Sequence, residues 1–200
     1  MSRLPAARAL AGAALAALMA LTGCSSLSGT GDKGYISGDG SVAIIDEADR
    51  GEPVELAGES LTDEPVDAAD YRGQVVVVNA WWSGCVPCRS EMPMLAKASA
   101  ALDQQAQFVG INIRDSSQSQ GLAFSRGAGV GYPSIFDPSG KAMLAFSGKA
   151  SMISTPTTVV LDEEGRVAAV ISGEIPSEQT LLDVVNDVAG SADTGTTADG

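Results

Sequence analysis

The chain has 200 residues, of which 44% are apolar, and it carries a formal charge of −13 at pH 7. An apolar content this high is enough for a packed core, so intrinsic disorder is excluded for the bulk of the chain. An anionic chain without a run of basic residues is also a poor candidate for binding nucleic acid, because phosphates demand lysine and arginine.

The first 23 residues have the pattern of a secretory signal peptide. Two basic residues, Arg3 and Arg8, come before an apolar run from Ala9 to Leu21. This run is shorter than a membrane-spanning helix normally requires. The run ends in the sequence LTGC at residues 21–24, which resembles the bacterial lipobox. The resemblance implies cleavage before Cys24 and a lipid anchor on its sulfur, at the extracytoplasmic face of the cell membrane. An ordinary secretory signal with a chance cysteine is the alternative.

Residues 24–51 are rich in serine, glycine and aspartate, and Ser41–Ile45 is their apolar stretch. This composition predicts a flexible tether that holds a folded domain away from the membrane. The domain is predicted to span residues 52–189. The last segment, residues 190–200, is small and polar throughout and predicts a disordered tail.

The domain is predicted to open with a β-hairpin of two short strands, Pro53–Leu56 and Pro65–Asp67, joined around Gly58. The next strand, Gln74–Trp81, contains four consecutive valines. Such a run of β-branched residues is typical of a strand that is buried on both faces of a sheet. A helix is predicted to follow from about Val86 to Leu102.

Two cysteines, Cys85 and Cys88, lie where this strand gives way to the helix. A helix N-terminus carries partial positive charge and unpaired N–H groups, which stabilise a thiolate over a thiol. The pattern favours dithiol–disulfide exchange, with Cys85 as the nucleophile and Cys88 as the thiol that resolves the mixed disulfide. The alternative is a structural disulfide or two buried thiols, although so short a loop constrains little of the unfolded chain.

Other chemistries for the cysteine pair are excluded by composition. The chain has three cysteines and no histidine, which is too few ligands for a tetrahedral zinc site. The lack of histidine also excludes imidazole base catalysis and a CxxCH haem-attachment motif. We therefore predict no metal and no other cofactor.

The second half of the chain alternates predicted strands and helices. They are a strand at Phe108–Ile113, a helix capped by Asp115 or Ser116, a short strand at Ser134–Asp137, a helix at Ser139–Phe146, strands at Val159–Asp162 and Val167–Ser172, and a last helix capped by Ser177. This order predicts an α/β fold in which a central mixed β-sheet is flanked by helices.

Three matches connect these elements to a known family. The sequence WWSGCVPC at residues 81–88 resembles the active-site motif of the thioredoxin superfamily, in its TlpA/ResA-like branch of extracytoplasmic thiol-disulfide oxidoreductases. Pro93 matches the proline that kinks the family's active-site helix, and Thr155-Pro156-Thr157-Thr158 resembles its cis-proline loop. The likeness covers roughly residues 52–189 and implies a thioredoxin-like fold with the added N-terminal hairpin of this branch.

The resemblance also implies roles for individual residues. Pro156 is expected to be cis and to face the cysteines, and the backbone of Thr155 is expected to pair with a substrate chain. Trp82 is expected to form a partly exposed platform for the substrate, while Trp81 packs in the core. Val86-Pro87 would contact substrate and tune the cysteine couple, because Pro87 has no N–H to offer a thiolate.

The residue that moves the proton of the inner thiol is left open. Asn79 stands where cytoplasmic thioredoxins carry a buried aspartate, and an amide cannot accept a proton. Asp115 follows the next strand, where ResA-like proteins carry an acidic residue near the cysteines. Asp115 is therefore predicted either to help move that proton or to cap the following helix.

The expected function is thiol-disulfide exchange on exported, cysteine-containing proteins. By resemblance, the expected task is reduction of the CxxCH disulfide of apocytochrome c, with a CcdA/DsbD-type membrane protein as electron donor. Oxidation of folding proteins would use the same residues. A non-enzymatic binding lipoprotein is the alternative of another class, and a peroxidase is disfavoured because Trp82 stands where such enzymes usually place threonine.

Overall fold

The computed structural model describes residues 41–194, with side chains to Gly190. The predicted signal peptide, the lipidation site Cys24, most of the predicted tether and the end of the predicted tail lie outside the described residues. Within the described range, no helix is both long enough and apolar enough to cross a membrane.

Eight strands and three α-helices make up the described chain. The strands are β1 Val42–Ile44, β2 Ala57–Glu59, β3 Pro65–Asp67, β4 Val75–Trp81, β5 Ala106–Asn112, β6 Ser134–Phe136, β7 Thr157–Leu161 and β8 Val167–Ser172. The helices are α1 Val86–Ala101, α2 Gln118–Gly127 and α3 Glu178–Thr194. Short 3₁₀ helices lie at Glu47–Asp49, Ala68–Tyr71 and Lys141–Phe146.

The main sheet has six strands in the order β1-β8-β7-β4-β5-β6. Strand β4 pairs in parallel with β5 and antiparallel with β7, and β5 pairs in parallel with β6. The predicted central mixed sheet is therefore confirmed. Strands β2 and β3 form a separate antiparallel hairpin, which an isolated bridge between Ser60 and Ile135 joins to the edge strand β6.

Strand β4 is buried along its whole length, as its run of valines predicts. Its alternate side chains contribute to two different cores, because successive residues of a strand point to opposite faces. Val75, Val77 and Trp81 lie in the core beneath α1 and α3. The intervening residues lie in a second core, together with the hairpin and Phe146 of the last 3₁₀ helix.

Helix α1 buries a stripe of residues at intervals of three and four, which includes Cys88, Met92, Leu95 and Ala98. This spacing places the side chains on one face of a helix, and that face packs on the sheet. Helix α3 packs on the same core through Leu181 and its buried valines. The stripe fixes the rotation of α1 and hence the position of the cysteines at its N-terminus.

The first strand of the N-terminal hairpin is displaced from its predicted position. We predicted Pro53–Leu56, with Gly58 at the turn, but the strand is β2, and Gly58 pairs with Val66 inside it. A Cβ on Gly58 would approach Cγ2 of Ile135 at 2.6 Å, so the close contact with β6 requires glycine there. The residues before β2 are extended but bond elsewhere: the N–H of Val54 donates to the carbonyl of Gly165 at 2.8 Å.

The predicted boundary between tether and domain at residues 51 and 52 was wrong. Val42–Ile44 pairs antiparallel with β8 as the edge strand of the sheet. Just after it, the Arg50 guanidinium contacts the buried carboxylate of Asp162 at 3.2 Å, and both side chains are almost fully buried. Arg166 contacts the same carboxylate at 2.8 Å. The folded unit therefore includes residues 42–50, which composition alone assigned to a tether.

We expect Arg50→Ala to lower the free energy of unfolding by about 2 kcal/mol, because it removes one charged hydrogen bond to the buried Asp162, with which Arg166 still pairs. Arg126 is an exposed arginine of α2, and Arg126→Ala should cost less than about 0.5 kcal/mol. Urea denaturation of both variants measures the difference. Equal effects would show that the segment around Arg50 contributes little to the fold.

Three further predictions needed smaller corrections. Helix α2 is capped by Ser117, whose hydroxyl accepts from the N–H of Gln120 at 3.3 Å, and not by Asp115 or Ser116. The predicted helix at Ser139–Phe146 is a 3₁₀ helix. Helix α3 continues to Thr194, past the predicted domain end at residue 189, because extending an existing helix is far easier than nucleating one.

Candidate active site

Cys85 is the N-cap of α1, at the end of a short turn that follows β4. Its Sγ accepts from the N–H of Cys88 at 3.2 Å, and the two cysteines are joined by a disulfide. Cys88 is fully buried, whereas Cys85 keeps 5% of its surface exposed. The sulfur of a substrate can therefore reach Cys85 but not Cys88. The helix N-terminus also stabilises a thiolate at Cys85.

The turn before Cys85 is shaped by close packing of Trp82. A Cβ on Gly84 would overlap the Trp82 ring, so the ring lies directly against the glycine backbone. Trp82 is partly exposed and Trp81 is fully buried, as predicted. The Nε1–H of Trp81 donates to the Ser134 hydroxyl at 3.3 Å. One tryptophan thus anchors the end of β4 in the core, and the other lines the surface beside the cysteines.

Asp115 lies directly under this turn. It is buried, and its carboxylate accepts from the N–H of Ser83 at 3.1 Å and from the Ser83 hydroxyl at 2.7 Å. It also accepts from the side-chain amides of Asn112 at 2.8 Å and Gln120 at 3.1 Å. Because Asp115 bonds four donors from three parts of the chain, it holds Ser83, and with it the turn, against β5 and α2. The alternative that Asp115 caps α2 was wrong.

A second buried acid, Glu91, was missed by the sequence analysis. It lies one helical turn after Cys88, on the same face of α1, where side chains three residues apart are neighbours. Its carboxylate accepts from the Asn79 amide at 3.0 Å and from the N–H of Ile175 at 3.1 Å. Burial raises its pKa from the ordinary value of 4.5 to about 7. A glutamate at a position of the apolar stripe of α1 was the signal available in the sequence.

Asn79 can form a hydrogen bond with Glu91 whether Glu91 is ionised or protonated. Its Nδ2 donates to Glu91 and also to the Thr158 hydroxyl at 3.0 Å, while its Oδ1 has no partner among the described residues. Rotating the amide by half a turn would present Oδ1 to a protonated Glu91. The asparagine cannot take the proton, but it can accommodate a neighbour that does.

The predicted cis bond between Thr155 and Pro156 is confirmed. It lies at the start of β7, and Thr157 of that strand pairs with Ala80 near the end of β4. We call the segment with Thr155 and Pro156 the proline loop, and residues 82–85 the cysteine turn. Since β7 runs antiparallel to β4, the two lie at the same end of the sheet. Thr155 is half-buried and Pro156 is buried beside it.

Val86 and Pro87 lie between the cysteines on the first turn of α1. Val86 has 74% of its surface exposed, and Pro87 is partly buried. The exposed Arg89 contacts the turn: its guanidinium donates to the Ser83 carbonyl at 3.0 Å and lies 5.0 Å from the centre of the Phe124 ring. The site therefore presents one reachable sulfur beside Val86 and Trp82, at the end of the sheet where the proline loop also lies.

Comparison with known proteins agrees with this geometry. A family model described as Redoxin matches residues 48–187, which is most of the chain. The chain belongs to the Redoxin family. Within it, this Redoxin-family protein is a TlpA/ResA-like member of the thioredoxin superfamily.

Several curated relatives carry thiol-disulfide names, among them the following two. The thiol-disulfide oxidoreductase ResA of Bacillus subtilis (strain 168) is 26% identical over 64% of this chain and 69% of its own length. The thiol:disulfide interchange protein HelX of Rhodobacter capsulatus is 32% identical over 64% of this chain and 70% of its own.

Two solved structures share both fold and sequence. A DsbF homologue from Corynebacterium diphtheriae has a TM-score of 0.69 and 37% identity, over 78% of this chain and 98% of its own. A secreted thiol-disulfide isomerase from Corynebacterium glutamicum has a TM-score of 0.69 and 34% identity, over 78% of this chain and 97% of its own. With its cysteine pair at a helix N-terminus, this Redoxin-family protein is a thiol-disulfide oxidoreductase.

Proposed function

We propose that this protein is a lipid-anchored, extracytoplasmic reductase of protein disulfides. The observation that carries the proposal is the asymmetry of the pair: Cys85 caps α1 and is reachable, while Cys88 is fully buried one turn inward. Such a pair can form one mixed disulfide with a large partner and then resolve it from inside. The export pattern at residues 1–24 supports action on exported proteins.

In the reducing direction, the Cys85 thiolate attacks one sulfur of a substrate disulfide. A disulfide forms between Cys85 and the substrate, and the first substrate thiolate leaves and takes up a proton from solvent. Cys88 then loses its proton, attacks the Cys85 sulfur and releases the second substrate thiolate. Two electrons pass to the substrate, and the Cys85–Cys88 disulfide is the oxidised product.

The site residues have distinct proposed roles in this reaction. The backbone of Thr155, beside Pro156, pairs with the substrate chain, and Trp82, Val86 and Pro87 form the surface around the attacked sulfur. Glu91 accepts the proton of Cys88, because it is buried on the same helix face and its pKa is about 7. Asp115 positions the turn through Ser83, and proton transfer through Asp115 is the second candidate.

The proposed substrate is the CxxCH disulfide of apocytochrome c. A CcdA/DsbD-type membrane protein would return electrons to the Cys85–Cys88 disulfide, and lipidation of Cys24 would keep both proteins at one membrane. The resemblance to the ResA-like branch, to which the relative named ResA gives its name, supports this assignment.

A second candidate function is oxidation or isomerisation of disulfides in exported proteins. It is favoured by the 34% identical structure of the secreted thiol-disulfide isomerase from Corynebacterium glutamicum. The same cysteines would serve, but the disulfide would then be the less stable form of the pair.

The reduction potential of Cys85–Cys88 separates the two candidates, and equilibration with glutathione or dithiothreitol measures it. A reductase should lie near or below about −270 mV, the value of thioredoxin, so that its dithiol gives up electrons readily. A potential between about −180 and −120 mV, as for an isomerase or a strong oxidant, would overturn the reductase assignment and favour the second function.

A further inference from the structure

An open groove of about 810 Å³ lies beside the proline loop. Its wall includes Ile113, whose N–H donates to the carbonyl of Trp81 at 2.9 Å, so the groove begins next to the cysteine turn. From there it extends along the segment between β6 and β7. The lining residues that matter below are Arg114, Met143, Leu144, Lys149, Ile153 and Thr155.

Apolar side chains project into solvent along this groove. Leu144 has 65% of its surface exposed and Ile153 has 90%. Together with Val86 beside Cys85, they are the exposed large apolar residues of the described chain. All three lie on the lining of the groove or on the cysteine turn where it begins. Exposed apolar surface concentrated next to a reactive site indicates that a partner covers it.

The charge of the groove is opposite to that of the protein. The chain carries 25 acidic and 12 basic residues, yet the groove lining includes Arg114 and Lys149 and no acidic side chain. Neither cation forms an ion pair with another described residue, whereas Arg50, Lys97 and Arg166 do. The nearby carboxylates of Asp115 and Asp137 accept hydrogen bonds from other residues and pair with neither cation. Both cations are therefore available to an acidic partner.

We propose that this groove binds the polypeptide segment that flanks the reacting cysteine of the substrate, and that it selects a segment combining apolar and acidic residues. The proposal rests on the proposed function and adds the substrate class to it. An extended segment advances about 3.3 Å per residue, so a chain that pairs with Thr155 reaches the groove within a few residues of its cysteine. Its apolar side chains would cover Leu144 and Ile153, and its carboxylates would meet Arg114 and Lys149.

Two short peptides test the selection. Each carries one cysteine as a mixed disulfide with thionitrobenzoate, flanked on both sides by leucine and either glutamate or lysine. Release of thionitrobenzoate by the reduced full-length protein reports the rate of exchange. We expect the second-order rate constant of this single-turnover reaction to be about fivefold or more higher for the glutamate peptide, and the preference to shrink in 0.5 M NaCl.

Variants locate the preference in the groove. Lys149→Glu should remove most of it, and Arg114→Gln should reduce it. Lys141→Glu is the matched control, because it makes the same change in net charge on an exposed residue that does not line the groove. All three should reduce uncharged hydroxyethyl disulfide at the wild-type rate, which shows that the cysteine site is folded and active.

The outcomes separate this proposal from the proposed function. If wild-type protein reduces hydroxyethyl disulfide but treats both peptides alike, or if Lys141→Glu acts like Lys149→Glu, the groove proposal is overturned and the reductase stands. If no disulfide is reduced, the proposed function fails. In that case, fluorescence anisotropy measures the binding of labelled glutamate and lysine peptides in which serine replaces cysteine. Equal affinities for the two peptides overturn the groove proposal.

Discussion

Cys85→Ser should lower the rate of thiol-disulfide exchange to that of the uncatalysed reaction, a loss of about a thousandfold or more. Serine is close in size, but its hydroxyl is not a nucleophile toward sulfur at neutral pH. Cys88 cannot take over the attack, because it is fully buried beneath the turn and an external sulfur cannot reach it. Reduction of insulin by dithiothreitol, followed by turbidity, measures the loss.

Cys88→Ser is the matched variant, and it should fail at a different step. Cys85 can still attack, but nothing resolves the mixed disulfide, so the variant should accumulate as a covalent adduct with its substrate. Mass spectrometry of the reaction mixture detects the adduct. The opposite pattern, with adducts on Cys88 of the Cys85→Ser protein, would contradict the assigned order of the two cysteines.

Loss of the disulfide itself is a small part of these effects. A loop this short constrains little of the unfolded chain, and the chain-entropy relation gives about 2 kcal/mol for it. The reduced wild-type protein also lacks the disulfide, so it is the correct reference for the folding of both serine variants. A variant that unfolds no more readily than reduced wild type has lost chemistry and not structure.

The part of the site that could be predicted is the part encoded by adjacent residues. The run of valines, the turn and the start of α1 follow each other in the chain, and local composition decides each of them. The cis bond before Pro156 was available only from the resemblance, because most bonds before proline are trans. Its place opposite the cysteines depends on the pairing of β4 with β7, which no local pattern contains.

The missed features depend on contacts between distant parts of the chain. Residues 42–44 form a strand because β8 offers an open edge, and Arg50 is ordered by Asp162, which lies 112 residues away. Ser117 caps α2 in place of Asp115, because Asp115 is occupied by Ser83 and Asn112. Composition near residue 50 or residue 115 cannot show which distant group arrives there.

Glu91→Gln should stabilise the oxidised protein, and only at high pH. The folded protein holds a proton on Glu91 up to a pKa of about 7, while the unfolded chain releases it near 4.5. Between these values the folded state binds more protons, so its stability falls as the pH rises through this window. Burial of the charged form should cost about 3 kcal/mol above pH 7.

Glutamine has nearly the same shape and is neutral at every pH. Its carbonyl can accept from Ile175, and its amide can donate to Oδ1 of Asn79 once the Asn79 amide rotates by half a turn. The unfolding free energies of Glu91→Gln and wild type should therefore agree near pH 4 and differ by about 3 kcal/mol at pH 8. Glu59→Gln, at an exposed carboxylate, is the control and should give no such difference. Urea denaturation across this range makes the comparison.

The same substitution tests the proton acceptor. If Glu91 takes the proton of Cys88, the glutamine variant should resolve mixed disulfides about a hundredfold more slowly, and the rate should lose its inflection near pH 7. Single-turnover measurements from pH 5 to 9 follow this step. Asp115→Asn should slow exchange through a loosened turn but keep the inflection. If Asp115→Asn abolishes the inflection and Glu91→Gln keeps it, the proton travels through Asp115, and Glu91 serves the fold alone.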